Sequence, residues 1–183
     1  MSYSTILPGD SLVTPPRRRL DGRSLGALAL FLLASFAVAA FGSLTTIAQV
    51  DGWYADAAKV AWTPPNWVFG PVWTTLYVLM AVAAWLVWLR RRTEYVTPAL
   101  TLYGAQLFLN AVWTPLFFGG YAVIGAPALW VGLAVIVLLD VCVGATILVF
   151  WPVSRTAALL LVPYLMWILY ATTLNLGAAV LNS

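Results

Sequence analysis

The chain has 183 residues, of which 63% are hydrophobic and 8% are charged, and its formal net charge is +3. A soluble domain has about a quarter charged residues, so this composition excludes an ordinary soluble globular protein. The sequence contains no His and one cysteine, Cys142, which excludes His-based acid–base chemistry, a Ser-His-Asp triad and an intramolecular disulfide. Nothing in the sequence favours a metal site, a resident cofactor or a nucleic-acid partner.

The N-terminal residues 1–23 are polar and include the run Arg17-Arg18-Arg19. We predict a flexible, Arg-rich tail there, followed by a first apolar run from about Leu25 to Ile47. A signal peptide is the alternative interpretation, because basic residues precede an apolar stretch that ends in small residues. The stretch is longer than the core of about 7–15 residues that signal peptides have, which favours a membrane span.

Four further apolar runs follow, at about 64–89, 97–118, 123–150 and 156–181. Gly119-Gly120 marks the end of the third run, and Trp151-Pro152 marks the end of the fourth. Each run is near the length of about 20 residues that a spanning helix needs, and lipid forces each to be helical because it offers the backbone no hydrogen bonds. The sequence therefore predicts an all-α integral membrane protein, with a five-helix transmembrane bundle over residues 24–183.

The positive charges are distributed unevenly between the predicted connections. With the N-terminus inside, eight Lys and Arg residues lie inside and one, Lys59, lies outside. The positive-inside rule then predicts a cytoplasmic N-terminus, with the first loop on the opposite side. The eight inside residues are Arg17, Arg18, Arg19, Arg23, Arg90, Arg91, Arg92 and Arg155.

The stretch "WTPPNWVFGPVW", residues 62–73, opens the second helix with an unusual density of Trp and Pro. We predict that Thr63 caps the helix and that Pro64 takes its first position, where a missing N–H costs nothing. Pro64 and Pro65 together stiffen this start and hold Trp62 above the bundle. Trp73 is expected to point into the loop-side half of the same bundle.

The loop before this stretch adds Trp53 and Tyr54. Together with Trp62 these rings suggest a lid over an aromatic pocket that has few polar groups. Such a pocket suits a flat, hydrophobic ligand, for which stacking surface matters more than charge.

Three Trp residues are predicted to lie deeper and fit an interfacial belt less well, with packing against lipid as the alternative for each: Trp73, Trp113 and Trp167. Gln106 and Asn110 share one face of the third helix with Trp113. A buried amide there either forms an interhelical hydrogen bond or faces a polar cavity.

Asp140 is the one ionisable residue well inside a predicted span. Such residues are functional hypotheses by default, and structural support by hydrogen bonding is the alternative. Pro115 and Pro163 interrupt the third and fifth helices and either kink them beside a cavity or are simply tolerated.

Three blocks are distinctive enough to indicate a family: "WYADAAKVAWTPPNWVFGPVWTTLYVLM", "NAVWTPLFF", and "LLD" followed later by "PYLMWILYATTLN". They resemble the translocator protein family (TspO/MBR), also called tryptophan-rich sensory proteins or peripheral-type benzodiazepine receptors. The resemblance implies a five-helix bundle, often dimeric, that binds porphyrins such as protoporphyrin IX. The pocket that it implies is lined by Tyr54, Trp73, Tyr77, Asn110, Trp113, Trp167, Ala171 and Leu174.

The same resemblance implies roles for three of these residues. Trp73 and Asn110 would hydrogen-bond the ligand, and Trp73 and Trp167 would be the catalytic residues of any light-dependent porphyrin breakdown. We therefore expect a membrane receptor or carrier for protoporphyrin IX. A photo-oxidative enzyme and a proton-coupled transporter that uses Asp140 are the alternatives.

A stripe of small residues, Ser35, Ala39 and Ser43, lies along the first predicted helix. Small residues permit close approach of helices in a membrane, so the stripe is compatible with a homodimer. Packing within one chain explains the stripe equally well.

Overall fold

The computed structural model describes residues 21–50 and 52–183. At Ala48 it describes only the backbone. Residues 1–20 of the predicted tail lie outside the described residues. At its predicted end, Asp21 accepts a hydrogen bond from the backbone N–H of Ser24 at 2.8 Å, and the first helix already begins at Gly22. The tail boundary predicted at residue 23 is therefore slightly too late.

The described residues form seven α-helices and one π-helical turn. They are α1 (Gly22–Val50), α2 (Trp53–Asp56), α3 (Asn66–Trp88), α4 (Thr97–Thr114), the π-helical turn (Pro115–Gly119), α5 (Gly120–Ile124), α6 (Ala126–Val153) and α7 (Arg155–Leu181). No strand occurs in this part of the chain.

Five of the helical segments are long and apolar enough to span a membrane. They cover Gly22–Ile47, Asn66–Trp88, Thr97–Ile124, Ala126–Val153 and Arg155–Leu181. The prediction of an all-α integral membrane protein with five spans is confirmed.

The predicted end of the third span at Gly119-Gly120 is wrong. Both glycines have helical backbone angles, and the helix continues through α5 to Ile124. Gly120 lets α5 approach α6, since a Cβ there would stand 3.0 Å from the Cβ of Ala128. The stop is Gly125, whose φ of +67° is a conformation that favours glycine.

The predicted start of α3 is also wrong. Thr63 and Pro64 each precede a proline, which disfavours the helical conformation for both residues. The helix consequently begins at Asn66, after Pro65, and no side chain caps it. The rigid proline pair thus forms an extended approach to α3 and is not its first turn.

The other two prolines discussed from the sequence behave differently from each other. Pro115 begins the π-helical turn, whereas Pro163 lies inside an α7 that continues to Leu181. The fourth span also continues past Trp151-Pro152 to Val153 and ends where Ser154 caps α7 by accepting the N–H of Ala157 at 3.3 Å.

Successive spans alternate in direction, so every second connection lies at the same end of the bundle. The two ends differ chemically. The loop end carries residues 52–65 and the C-terminus. The arginine end carries Arg23, Arg90, Arg91, Arg92 and Arg155.

The core is packed by α3, α4, α6 and α7, with Met80, Leu139, Phe150 and Tyr164 fully buried at its centre. Helix α1 packs on the outside of this core, and Leu33 and Leu44 remain 68% and 76% exposed. These exposed apolar side chains are those that lipid covers in a spanning helix.

The small-residue stripe of α1 faces the core at Ser35 and Ala39 and a cavity at Ser43. Ser35 is fully buried and shares a 2.9 Å hydrogen bond with the hydroxyl of Tyr103 on α4. Ala39 packs against the core, and Ser43 lines a cavity. The stripe is therefore accounted for within one chain, and the homodimer stays a prediction without support from it.

Candidate functional site

A cavity of about 460 Å³ lies in the loop-end half of the bundle, between α1, α3 and α4. Its volume falls within the range of roughly 300–1,000 Å³ that is typical of small-molecule sites. The residues that line it are Ala39, Gly42, Ser43, Thr46, Ile47, Val50, Tyr54, Asn66, Phe69, Gly70, Trp73, Thr74, Tyr77, Trp113, Thr114, Phe118 and Ala171. No Asp, Glu, Lys or Arg is among them.

Aromatic rings form the inner wall, and Trp73 is at their centre. Its ring centroid lies 5.6 Å from that of Tyr77, 6.5 Å from that of Trp113 and 6.2 Å from that of Tyr164. Trp113 in turn stacks on Phe117 at 5.7 Å with an interplanar angle of 21°. Trp73, Tyr77 and Trp113 line the cavity, whereas Tyr164 and Phe117 do not. The lining rings therefore pack on further rings and form a preformed apolar surface.

A polar network lies directly behind the cavity floor. The hydroxyl of Tyr77 donates to Asn110 Oδ1 at 2.7 Å, and Asn110 Nδ2 donates to the hydroxyl of Tyr164 at 3.1 Å. Asn110 is 1% exposed and is not among the lining residues. The structure thus places Asn110 one layer behind the cavity, where it orients Tyr77.

A second buried amide holds Trp113. The Nε1–H of Trp113 donates to Asn175 Oδ1 at 3.1 Å, and Asn175 Nδ2 donates to the carbonyl of Leu129 at 2.9 Å. Gly132 makes room for this amide, since a Cβ there would lie 3.3 Å from Asn175 Oδ1. The sequence reading missed Asn175, although an amide in an apolar run is the same signal that identified Asn110.

The first loop covers the cavity from above. Tyr54 is 7% exposed and packs edge-on against Phe117 and Phe118 with centroids 6.1 and 5.4 Å apart. Trp53 stacks on Tyr121 at 4.1 Å and donates its Nε1–H to the carbonyl of Phe118 at 2.7 Å. From the sequence, the loop aromatics were expected to be held above the bundle. In the structure, both aromatic residues of α2 are instead inserted into it.

Further contacts hold the loop against α7. Trp62 donates its Nε1–H to the Thr173 hydroxyl at 3.1 Å, and its carbonyl accepts the hydroxyl of Tyr170 at 2.6 Å. Ala58 exchanges two hydrogen bonds with the Asn182 side chain, at 2.9 and 3.0 Å. Trp62 thus does not line the cavity, and its contacts attach the loop to α7.

The cavity opens sideways, between α1 and α3. Its exposed lining residues are Ser43 and Ile47 on α1 and Asn66, Gly70 and Thr74 on α3, at intervals of four residues. Four residues are about one helical turn, so each helix borders the opening with one face.

The predicted α7 residues meet the cavity to different extents. Ala171 lines it, and Leu174 lines a smaller adjoining void with Tyr54 and Trp113. Trp167 is not a lining residue and packs edge-on against Phe69 at 5.8 Å. The two Trp residues expected to act together thus do not both face the cavity.

Two polar residues singled out from the sequence lie away from the cavity. Asp140 Oδ2 accepts the hydroxyl of Thr172 at 2.8 Å, which joins α6 to α7. Gln106 is 1% exposed, and within the described part of the chain its amide has no hydrogen-bond partner, a feature that nothing in the structure explains.

The electrostatic setting of the cavity is nearly neutral. Burial, and to a lesser degree the neighbouring Tyr170, raise the pKa of Tyr54, so its hydroxyl stays uncharged at neutral pH. Lys59 lies next to the cavity with its Nζ 4.8 Å from the centroid of the Tyr54 ring. No group of three His, Cys, Asp or Glu side chains suited to a metal ion occurs among the described residues.

A bundle of five spans, with an uncharged aromatic cavity beneath an attached loop, defines a multi-pass membrane protein with an intramembrane cavity of small-molecule size. The chain belongs to the TspO/MBR family, whose profile matches residues 30–181. The family resemblance inferred from the Trp- and Pro-rich blocks is confirmed.

Named relatives cover most of the chain. Protein CrtK of Rhodobacter capsulatus is 36% identical over 157 residues, covering 85% of this chain and 94% of its own. A tryptophan-rich sensory protein of Cereibacter sphaeroides is 40% identical over 154 residues, covering 84% of this chain and 92% of its own. The human translocator protein is 43% identical over 125 residues, covering 67% of this chain and 70% of its own.

Proposed function

We propose that this protein is a membrane receptor or carrier for porphyrins and similar flat hydrophobic molecules, with protoporphyrin IX as its ligand. One observation carries the proposal: a cavity of about 460 Å³, walled by mutually packed aromatic rings and free of charged side chains, lies beneath the first loop. A flat π-system gains most from such walls, because stacking and apolar burial provide the binding free energy.

Two further observations support this ligand class. Trp73 and Trp113 both line the cavity with their planes 33° apart, and Phe117, which does not line it, stacks on Trp113 with an interplanar angle of 21°, so the wall rings are held in place by a neighbouring ring. The chain has no His, the usual axial ligand of haem iron, which favours a metal-free porphyrin. The names of two relatives, translocator protein and tryptophan-rich sensory protein, accord with carriage or sensing.

The test is a titration of the purified protein with protoporphyrin IX in the dark, following quenching of Trp fluorescence. We expect saturable quenching in the wild type and at least about tenfold weaker binding in Trp73→Ala, which loses a large stacking surface worth roughly 1.5–3 kcal/mol.

Trp130→Phe is the matched control, because Trp130 is 45% exposed and does not line the cavity. It should retain wild-type affinity while losing a similar share of the signal. Linear quenching without saturation in all three proteins would exclude porphyrin as the ligand.

The two alternative functions have less support from the geometry. Light-dependent breakdown through Trp73 and Trp167 would need both rings at the ligand, and Trp167 does not line the cavity. Proton-coupled transport through Asp140 would need a path from the cavity to a residue that bridges α6 and α7. Binding is the function that the arrangement favours.

A further inference from the structure

We infer that the cavity selects carboxylate-bearing ligands and orients them with the carboxylates at the loop end, where Lys59 is the residue that recognises the anion. This inference rests on the proposed function and deepens it, because it assigns a chemical class and a direction to the ligand.

The floor of the cavity is a poor place for a carboxylate. The hydroxyl of Tyr77 is already donated to Asn110, and the Nε1–H of Trp113 is already donated to Asn175. A carboxylate placed there would lose its hydration and gain at most a neutral donor such as the Nε1–H of Trp73, with no cation to offset the loss, which is unfavourable. The floor therefore suits the apolar edge of a ligand.

The loop end differs because it offers a positive charge. Among the described residues, the other cations, Arg23, Arg90, Arg91, Arg92 and Arg155, all lie at the arginine end of the bundle. Lys59 is the sole described cation near the cavity, so an anionic ligand is attracted to this end.

Lys59 is available for a ligand. Its Nζ donates to the carbonyls of Ala55 at 3.0 Å and Ala57 at 3.3 Å, and it lies over the Tyr54 ring that lines the cavity. Asp56 is in the same segment, yet neither of these hydrogen bonds goes to its carboxylate. An ammonium has three N–H donors, so one remains beyond these two hydrogen bonds, and a ligand carboxylate adds a charge–charge attraction that a neutral carbonyl lacks.

The side chain can also reach such a carboxylate. Lys59 is exposed, and its flexible four-carbon stem lets the ammonium move by several ångströms. A propionate that extends from the cavity past Tyr54 therefore comes within its range. Asn66, the exposed first residue of α3, also lines this end of the cavity and adds a neutral amide.

The experiment compares protoporphyrin IX, which has two carboxylates, with its dimethyl ester, which has none. Both are titrated against the protein in nanodiscs of neutral lipid, and the ratio of the two dissociation constants is measured. The wild type is compared with Lys59→Met, with Lys59→Arg, which keeps the charge, and with Arg155→Met, which removes one charge at the opposite end. Differences in lipid partitioning between acid and ester cancel when the ratio is compared across variants.

We expect Lys59→Met to reduce the preference for the acid by up to about fivefold, as for an exposed ion pair, with Lys59→Arg and Arg155→Met close to wild type. The preference should also shrink as salt concentration rises. An unchanged acid-to-ester ratio in Lys59→Met would overturn the inference, and so would equal weakening of both ligands, which would mean that Lys59 only supports the loop. Failure of both ligands to saturate the wild type would instead overturn the proposed function itself.

Discussion

At the scale of single residues, the position of Asn110 changes the interpretation of its role. The family resemblance implied a direct hydrogen bond to ligand, whereas the structure places Asn110 between the hydroxyls of Tyr77 and Tyr164. The buried hydroxyls of Tyr77 and Tyr164 both depend on the Asn110 amide for a hydrogen bond. We therefore expect removal of this amide to lower the stability of the fold more than it weakens ligand binding.

We predict that Asn110→Leu lowers the free energy of unfolding by about 2–4 kcal/mol, because it leaves two buried hydroxyls without a partner. Thermal denaturation in detergent measures this loss. In the Tyr77→Phe, Tyr164→Phe background the same substitution should cost much less. Equal costs in both backgrounds would contradict the network.

Asp140 is the other residue whose role depends on its surroundings. Its carboxylate accepts a hydrogen bond from Thr172 and does not line the cavity. We predict that Asp140→Asn, which keeps an acceptor oxygen, changes the affinity for protoporphyrin IX by less than about twofold. A binding titration checks this, with Thr172→Val as a companion variant. Proton-driven porphyrin flux into liposomes that is lost in Asp140→Asn would favour the transporter alternative.

At the scale of elements, the first loop is attached to the bundle by specific contacts with α7. Besides its hydrogen bonds, the loop inserts Val60 against Gly177, where an added Cβ would overlap Val60 Cγ1. Glycine is needed here for close approach, because any side chain at this position collides with the loop.

We predict that Gly177→Ala displaces the loop and weakens porphyrin binding several-fold, and that Val60→Ala in the same chain restores it. Limited proteolysis within residues 52–65 and a binding titration report the two effects. Gly144→Ala is the control, since a Cβ there meets nothing within 4 Å, and replacing a helical glycine by alanine adds roughly 0.5–1 kcal/mol of stability. No rescue by Val60→Ala would contradict the steric explanation.

At the scale of the whole molecule, the charges of the two ends predict how the bundle lies in a membrane. The described part of the arginine end has five arginines, Arg23, Arg90, Arg91, Arg92 and Arg155, and the loop end has Lys59. The positive-inside rule therefore predicts that the arginine end is cytoplasmic.

Cysteine labelling tests this orientation, because Cys142 is the single cysteine of the sequence. In a Cys142→Ser background, Ala61→Cys at the loop end should react with a membrane-impermeant maleimide on intact cells. Glu94→Cys at the arginine end should react only after permeabilisation. Both positions are exposed, so the opposite pattern would reverse the orientation.

The membrane architecture could be predicted from the sequence because it depends on local composition. Five long apolar runs have one solution in lipid, which is a helix with its backbone hydrogen bonds satisfied internally. Two predicted helix boundaries were wrong. At Gly119-Gly120 the helix continues because Gly120 packs closely against α6. At Thr63-Pro64 the start is delayed because each of these residues precedes a proline.

The cavity itself was only partly predictable. Trp73, Trp113 and Tyr54 stand out in the sequence because large aromatic residues in a span or at its mouth are distinctive. Tyr77 was implied by the family resemblance, and all four residues line the cavity. The contribution of α1 was not predicted, since small residues such as Gly42 and Ser43 serve a cavity wall and a helix interface equally well.

The sequence by itself determined the class of protein, the five spans and most of the aromatic residues of the site, because these follow from hydrophobicity and residue type along the chain. Only the tertiary structure decided that Asn110 lies behind the cavity, that Trp167 lies beside it and that α1 and α3 border its opening. The physical reason is that the face of a helix that meets a neighbour depends on how whole helices pack. In a segment apolar all round, the sequence pattern does not distinguish lipid from protein.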